Sequence, residues 1–232
     1  MKSFLPLILI LLVLVTGVGT FLYMTRARTD VPSPATGNPS GASASPTANQ
    51  VVTGVPGAEP PHAIGPADAP ATIEEFGDFE CPPCGLLHPV VKSMVKEFGP
   101  RLRVVFREYP LPNHSHALNA ARAAEAAGLQ GKFWEMHGML YDNQKAWHEA
   151  FDARPIFEKY AQAIGLDMAR YRRDLGSKTV ENRIYLDGNR AHSLGVRATP
   201  TVFLNGREVP FEQLAPEKLR VLIAREIAQS NK

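Results

Sequence analysis

The sequence predicts an α/β fold carrying a long helical insertion, and three observations support that reading. Two strand patterns, Ala71–Phe76 and Leu102–Tyr109, flank an amphipathic helical stretch, the signature of a parallel crossover. Between about residues 111 and 194 the apolar spacing is helical and no strand pattern interrupts it. The chain then returns to a strand ending at Leu204, an Asn205-Gly206 hairpin signal and a last helix with one apolar stripe.

In chain order, Phe4–Met24 is an apolar run without a charge. At ~1.5 Å per residue a helix of that length spans roughly the hydrocarbon core of a bilayer. Lys2 precedes it as in a secretory signal, but the run exceeds a usual signal core and Thr25-Arg-Ala27 is a poor cleavage site. Residues 1–28 are therefore expected to form a membrane anchor in preference to a removed signal peptide. Either carries the rest of the chain out of the cytoplasm, although Arg26 and Arg28 pull the orientation the other way. Residues 29–61 are dominated by Pro, Ser, Ala, Gly and Thr, cannot bury enough apolar surface to offset ordering, and read as a flexible tether. Its reach would be on the order of 30 Å.

Residues 62–232 are expected to form the folded domain. Ala71–Phe76 reads as its first strand, and Gly85–Phe98 as a helix with Leu87, Val91, Met94, Val95 and Phe98 on one face and a kink at Pro89. Gly99-Pro100 ends that helix, and the alternation in Leu102–Tyr109 gives the next strand. The insertion is read as helices over Ala117–Ala127, Lys132–Asp142, Ala153–Ile164, Asp167–Leu175 and Thr179–Ser193. Gly195–Leu204 returns to strand, Arg207–Val209 pairs back through the hairpin, and Pro216 opens a helix striped with Leu219, Leu222, Ile223 and Ile227.

Composition narrows the function. Lys and Arg number 25 against 23 Asp and Glu, a net charge of +2, so there is no basic excess to attract nucleic acid. There are only two cysteines, Cys81 and Cys84, too few for a disulfide scaffold and too close together to staple distant segments. They stand where a strand pattern gives way to a helix pattern. Cys81 at the helix start would meet unpaired N–H groups and the positive dipole end, which favour a thiolate, so it is the expected nucleophile. Cys84, one turn further and on the inward side, is placed to resolve a mixed disulfide.

The intervening Pro82-Pro83 has no N–H to offer the Cys81 sulfur, so thiolate stabilisation must come from the Cys84 N–H, later turns and the dipole. The two prolines are thus expected to tune the redox behaviour, leaving the Cys81 pKa depressed but less so than with a donor at position 83. Three other readings of the pair compete. A zinc site would need His88, His114 or His116 as further ligands, without finger spacing. Covalent haem needs His where Gly85 stands. An inert disulfide closing so short a loop adds little stability. No metal and no cofactor beyond a Cys81–Cys84 disulfide is expected.

Glu-Phe-Gly-Asp-Phe-Glu-Cys-Pro-Pro-Cys, Tyr109-Pro-Leu-Pro112, Gly131-Lys-Phe-Trp-Glu135 and the later Thr199-Pro200 together resemble the DsbA-like branch of the thioredoxin superfamily, extracytoplasmic bacterial thiol-disulfide oxidoreductases. The resemblance covers about residues 62–230 and implies a thioredoxin-like fold, a mixed central sheet flanked by helices. By position, Cys81 matches the attacking cysteine, Cys84 the resolving one, Pro200 the cis-proline and Glu75 the buried acid that exchanges a proton with Cys84, with Glu74 its rival by strand parity. Thr199 and Pro200 would offer an extended substrate a backbone edge. Pro-Pro between the cysteines, where many oxidases have Pro-His, departs from the pattern and leaves the direction of electron flow open.

The implied activity is introduction of disulfides into exported proteins bearing free thiols, by a periplasmic or otherwise extracytoplasmic monomer with a separate redox partner. A reductase or isomerase would use the same residues, but isomerases usually dimerise and no dimerisation segment is visible. A non-catalytic binding or metal-delivery module on the same frame is the reading from another class.

Overall fold

The computed structural model describes residues 53–230. The membrane anchor expected over residues 1–28 and most of the expected tether lie outside the described residues. Among those described, no helix is long and apolar enough to cross a membrane.

Five strands form one mixed sheet: β1 (His62–Ile64), β2 (Ala71–Gly77), β3 (Leu102–Glu108), β4 (Thr201–Leu204) and β5 (Arg207–Val209), in the order β1-β3-β2-β4-β5. Only β2 and β3 are parallel; every other pairing is antiparallel. The parallel pair is joined through α1 (Pro82–Phe98), as a crossover requires. The three-residue β1, too short to carry a strand pattern, adds to the outer edge of β3 with His62 opposite Phe106.

Helix α1 begins earlier than the apolar periodicity indicates. Pro82 and Pro83 occupy its first turn, where an N–H has no intrahelical acceptor and a fixed φ costs nothing. Helical structure continues through Pro89 to Phe98, and Cys84, Leu87, Val91, Met94 and Phe98 form its buried face. Leu87, Val91, Met94 and Phe98 pack with Ile73, Val104, Val202 and the α8 (Pro216–Ser230) residues Leu219, Ile223 and Ile227. Each such side chain contributes about 1.5–3 kcal/mol when removed from water. The hairpin between β4 and β5 turns on Asn205 (φ 47°) and Gly206 (φ 76°), the left-handed pair that the Asn-Gly signal implies.

The insertion consists of α2 (Ala117–Gly128), α3 (Phe133–Asp142), α4 (Gln144–His148), α5 (Arg154–Ala163), α6 (Met168–Asp174) and α7 (Lys178–Ser193). Alanines at 120, 121, 123, 124, 126 and 127 let α2 lie close to its neighbours at the centre of a second core with Met136, Leu140, Trp147 and Phe157. Asp167 and Ser177 cap α6 and α7 by accepting from the N–H groups of Arg170 and Val180. The short α4 has no counterpart in the sequence reading.

Residues 53–61, assigned to the tether by composition, lie against the domain. The Ala58 N–H donates to Asp187 Oδ1 (2.7 Å), and Arg107 Nη1 donates to the Ala58 carbonyl (2.7 Å). Arg183 bonds the carbonyls of Glu59 and Pro60, and Arg190 that of Val55. Hydrogen bonds from buried Arg107 and part-buried Arg183 and Arg190 to its backbone carbonyls hold this segment, so its low hydrophobicity does not leave it free.

Candidate active site

Cys81 is the N-cap of α1, at the C-terminal end of β2. Loop 78–80 is pinned from beneath. The Asp78 carboxylate, buried at 1% exposure, accepts from the backbone N–H groups of Glu80 (2.8 Å) and Leu111 (2.9 Å) and lies 2.7 Å from His114 Nδ1. Glu80, also buried, accepts from the His116 N–H, and Gln144 Nε2 on α4 donates to the carbonyls of Phe79 (2.6 Å) and Cys81 (2.9 Å). The loop carrying the nucleophile is therefore fixed by hydrogen bonds from two separate segments, residues 111–116 and α4.

The two sulfurs, not joined to each other here, sit in different surroundings. Cys84 is fully buried, while Cys81 is 4% exposed with a part-buried sulfur that meets the carbonyl of Thr199 at 3.2 Å. The Thr199–Pro200 bond is cis, and β4 starts at the next residue. Thr199, 118 residues downstream, thus stands directly beside the Cys81 sulfur.

The Cys84 thiol, by hydrogen bonding, does most to hold the Cys81 pKa down. Burial opposes it, Thr199 and the Cys84 N–H reinforce it, the charge of Asp78 works against it, and the outcome is about 6. Cys84 moves the opposite way, because burial, the hydrogen bond to Cys81 and the charges of Glu75 and Cys81 all disfavour its thiolate. At neutral pH the dithiol is a Cys81 thiolate over a Cys84 thiol. Neither proline contributes a donor, as expected of that dipeptide, and the Cys84 side chain outweighs the backbone donor. Pro83→His would restore a backbone N–H and add an imidazole at that turn. Thiolate absorbance titration should then give a Cys81 pKa below that of the parent; an equal or higher value would show that donors at position 83 do not reach the sulfur.

Strand parity separates Glu74 from Glu75. On β2, Ile73 and Glu75 face α1, whereas Glu74 and Phe76 face α7. Burial alone would raise the Glu74 pKa, but hydrogen bonds from Arg190 (2.7 Å) and Arg107 (2.8 Å) outweigh it, and the carboxylate stays ionised. Glu75 has no such partner. It is 3% exposed, its Oε1 is buried without a hydrogen bond, and burial followed by the Cys81 thiolate charge raises its pKa to about 8.

Several neighbours of this site carry no motif. His137, Phe79, Phe106 and Tyr141 form an aromatic cluster. Tyr141 is influenced by burial first and then by the charges of Cys84 and Glu75, all of which push its pKa up. His88 is not a surface group: its side chain is 10% exposed, stacks on Tyr141 (5.3 Å) and pairs with Asp142 at 3.3 Å. Burial lowers its pKa. Of the other histidines weighed as zinc ligands, His114 is engaged by Asp78 and His116 by the Ala150 carbonyl. Among the described residues no group of three or more His, Cys, Asp or Glu is placed to hold a metal ion.

A family model described as Thioredoxin matches residues 58–225. The chain belongs to the thioredoxin family. This thioredoxin-family chain has the fold of DsbA-type thiol-disulfide oxidoreductases. It is similar to oxidised BdbD from Bacillus subtilis, at 22% identity and a TM-score of 0.66 over 78% of this chain and 100% of that one. It is also similar to α-DsbA1 from Wolbachia pipientis, at 16% identity and 0.63 over 74% and 93%. A thioredoxin-like oxidoreductase from Silicibacter pomeroyi aligns at 29% identity and 0.56 over 71% and 91%.

Curated relatives of the chain carry a different name. It is 43% identical over 148 residues to Na(+)/H(+) antiporter NhaA 1 of Salinispora arenicola, covering 63% of this chain and 22% of that protein. The corresponding figures for NhaA 1 of Mycolicibacterium vanbaalenii are 39%, 150 residues, 62% and 23%. The matches span less than a quarter of those proteins, and ion transport is a statement about them.

Proposed function

We propose that this chain oxidises thiols of exported proteins to disulfides through Cys81 and Cys84. The observation carrying the proposal is the asymmetry of the pair: an outer sulfur with a pKa of about 6 beside an extended backbone edge, over an inner sulfur kept protonated by burial. A thiolate of low pKa is both a good nucleophile and a good leaving group.

With the pair oxidised, a substrate thiolate attacks Cys81 Sγ. A substrate–Cys81 disulfide forms, the Cys81–Cys84 bond breaks, and Cys84 leaves as a thiolate. The protonated Glu75 carboxyl gives it a proton; at a pKa of about 8 Glu75 holds one at neutral pH. A second substrate thiolate then attacks the substrate sulfur of the mixed disulfide and expels Cys81 as its stable thiolate. The substrate has lost two electrons and the pair has gained them. Thr199 and Pro200 align the substrate backbone during both attacks, and Pro82 and Pro83 set how far the Cys81 pKa falls. Reoxidation falls to a separate redox partner, the pair itself being the only redox group required.

The chain acts as an extracytoplasmic, periplasm-facing monomer tied to the membrane by residues 4–24. In the opposite direction the same residues would make a reductase. The test is to mix the oxidised protein with a reduced, unfolded two-thiol protein and follow both thiol pools. Stoichiometric disulfide transfer is expected; a pair that stays oxidised in the presence of free substrate thiols would contradict the proposal.

A further inference from the structure

Beside the active-site edge lies a surface pocket of about 380 Å³ lined by Tyr109, His192, Gly195, Val196 and Arg197. It belongs to the same connection as the substrate edge, because the segment from α7 to β4 contains both. Val196 precedes Thr199 by three residues, and an extended chain covers at most about 3.6 Å per residue, so the pocket wall begins within about 11 Å of the backbone that touches Cys81 Sγ. The wall is held in place. The Tyr109 hydroxyl donates to the Val196 carbonyl (3.3 Å), the Tyr109 N–H donates to Gly77 at the end of β2 (2.9 Å), and the Tyr109 and His192 rings meet edge to face at 5.8 Å.

The charge at this pocket is unbalanced. No acidic side chain lines it. Arg197 is exposed and makes no ion pair or side-chain hydrogen bond among the described residues, whereas Arg190 on the preceding helix is committed to Glu74. An arginine left unpaired next to a substrate-binding edge offers a planar, charge-assisted donor to a carboxylate, and the phenol and imidazole beside it supply further polar atoms.

We infer that the Tyr109–His192–Arg197 pocket selects substrates, binding an Asp or Glu side chain that lies within about three residues of the cysteine being exchanged. The inference rests on the thiol-exchange reading and adds a preference to it. Backbone pairing along Thr199 and Pro200 gives affinity without sequence information, and this pocket supplies a sequence-dependent contact.

The test uses the oxidised full-length protein and two peptides identical but for Glu or Lys two residues from a single cysteine. Rates of mixed-disulfide formation are measured at low ionic strength with the parent, Arg197→Glu and, as a control for the overall field, Arg173→Glu on the insertion helix α6. Taking the Glu-to-Lys rate ratio within each protein and comparing proteins removes the peptides' intrinsic thiol reactivity. The parent ratio should exceed that of Arg197→Glu by roughly threefold or more, the size of an exposed ion pair, and Arg173→Glu should match the parent. Equal ratios in the parent and Arg197→Glu, or equal falls in both variants, would overturn the pocket while leaving disulfide exchange intact. No reaction with either peptide would overturn the exchange reading and the pocket with it.

Discussion

Replacing Cys84 with alanine is expected to leave a protein that attacks substrate disulfides once and then stays bound. Cys81 can still form a mixed disulfide, but no inner thiol remains to release it. Turnover should fall by about three orders of magnitude or more, as happens when one member of a cooperating catalytic set is removed. The covalent adduct should be visible on a non-reducing gel and vanish on reduction. The same substitution takes away the hydrogen bond that does most to lower the Cys81 pKa, so that pKa should climb from about 6 towards the ordinary thiol range. Turnover loss accompanied by an unchanged Cys81 titration would place the source of thiolate stabilisation elsewhere.

Glu75→Gln carries the second large effect, in stability and in rate. The carboxyl pKa rises from 4.5 to about 8 on folding, so the folded protein retains a proton that the unfolded chain gives up. That contribution is complete below about pH 4.5 and is lost as pH rises through about 8. At about pH 7 the difference of roughly 2.5 pH units corresponds to about 3 kcal/mol. Glutamine keeps the shape without titrating. The variant should exceed the parent in stability by up to about 3 kcal/mol near neutral pH, and the gain should shrink towards zero as pH falls to the unfolded carboxyl range. Because the Cys81 thiolate is the second cause of the shift, the gain should be smaller in the oxidised protein. Denaturant midpoints across this pH range in both redox states measure it. Exchange that needs Cys84 to gain or lose a proton should slow, and rates identical to the parent at every pH would remove Glu75 from the chemistry.

The features readable in the sequence are those with a strong period or a local chemical rule. The apolar stripe of α1, the Asn205-Gly206 turn and the Pro216 helix start each depend on neighbours a few residues away. The strand-to-helix position of Cys81 and Cys84 is equally local. Features fixed by distant partners were not legible. β1 is three residues long and exists because β3 offers it an edge. Residues 53–61 are held by Arg107, Arg183, Arg190 and Asp187, which composition cannot anticipate. Gln144 reaches the Cys81 carbonyl from a five-residue helix that carries no periodic signal.

The distinction between Glu74 and Glu75 lies between these cases. Both look alike in the sequence, and alternation along β2 says only that they face opposite sides. Which side holds the arginines follows from tertiary structure, with Arg107 and Arg190 reaching Glu74 and leaving Glu75 unpaired in the apolar layer above α1. His137 and Tyr141, buried close to Glu75 and Cys84, would read in any sequence as one polar and one aromatic residue on an ordinary helix.

The central claim is that the arrangement favours the dithiol and so drives oxidation of substrates. At about pH 7 a thiolate with a pKa of about 6 in place of about 9 favours the reduced pair by at most about 1.4 kcal/mol, or roughly 30 mV, and by less to the extent that water screens the part-buried sulfur. The most direct measurement is the reduction potential of the Cys81/Cys84 pair, obtained by equilibrating the full-length protein with glutathione redox buffers. The proposed oxidising role requires a value above about −180 mV; a value near about −270 mV, in the range of cytosolic reductases, would contradict it.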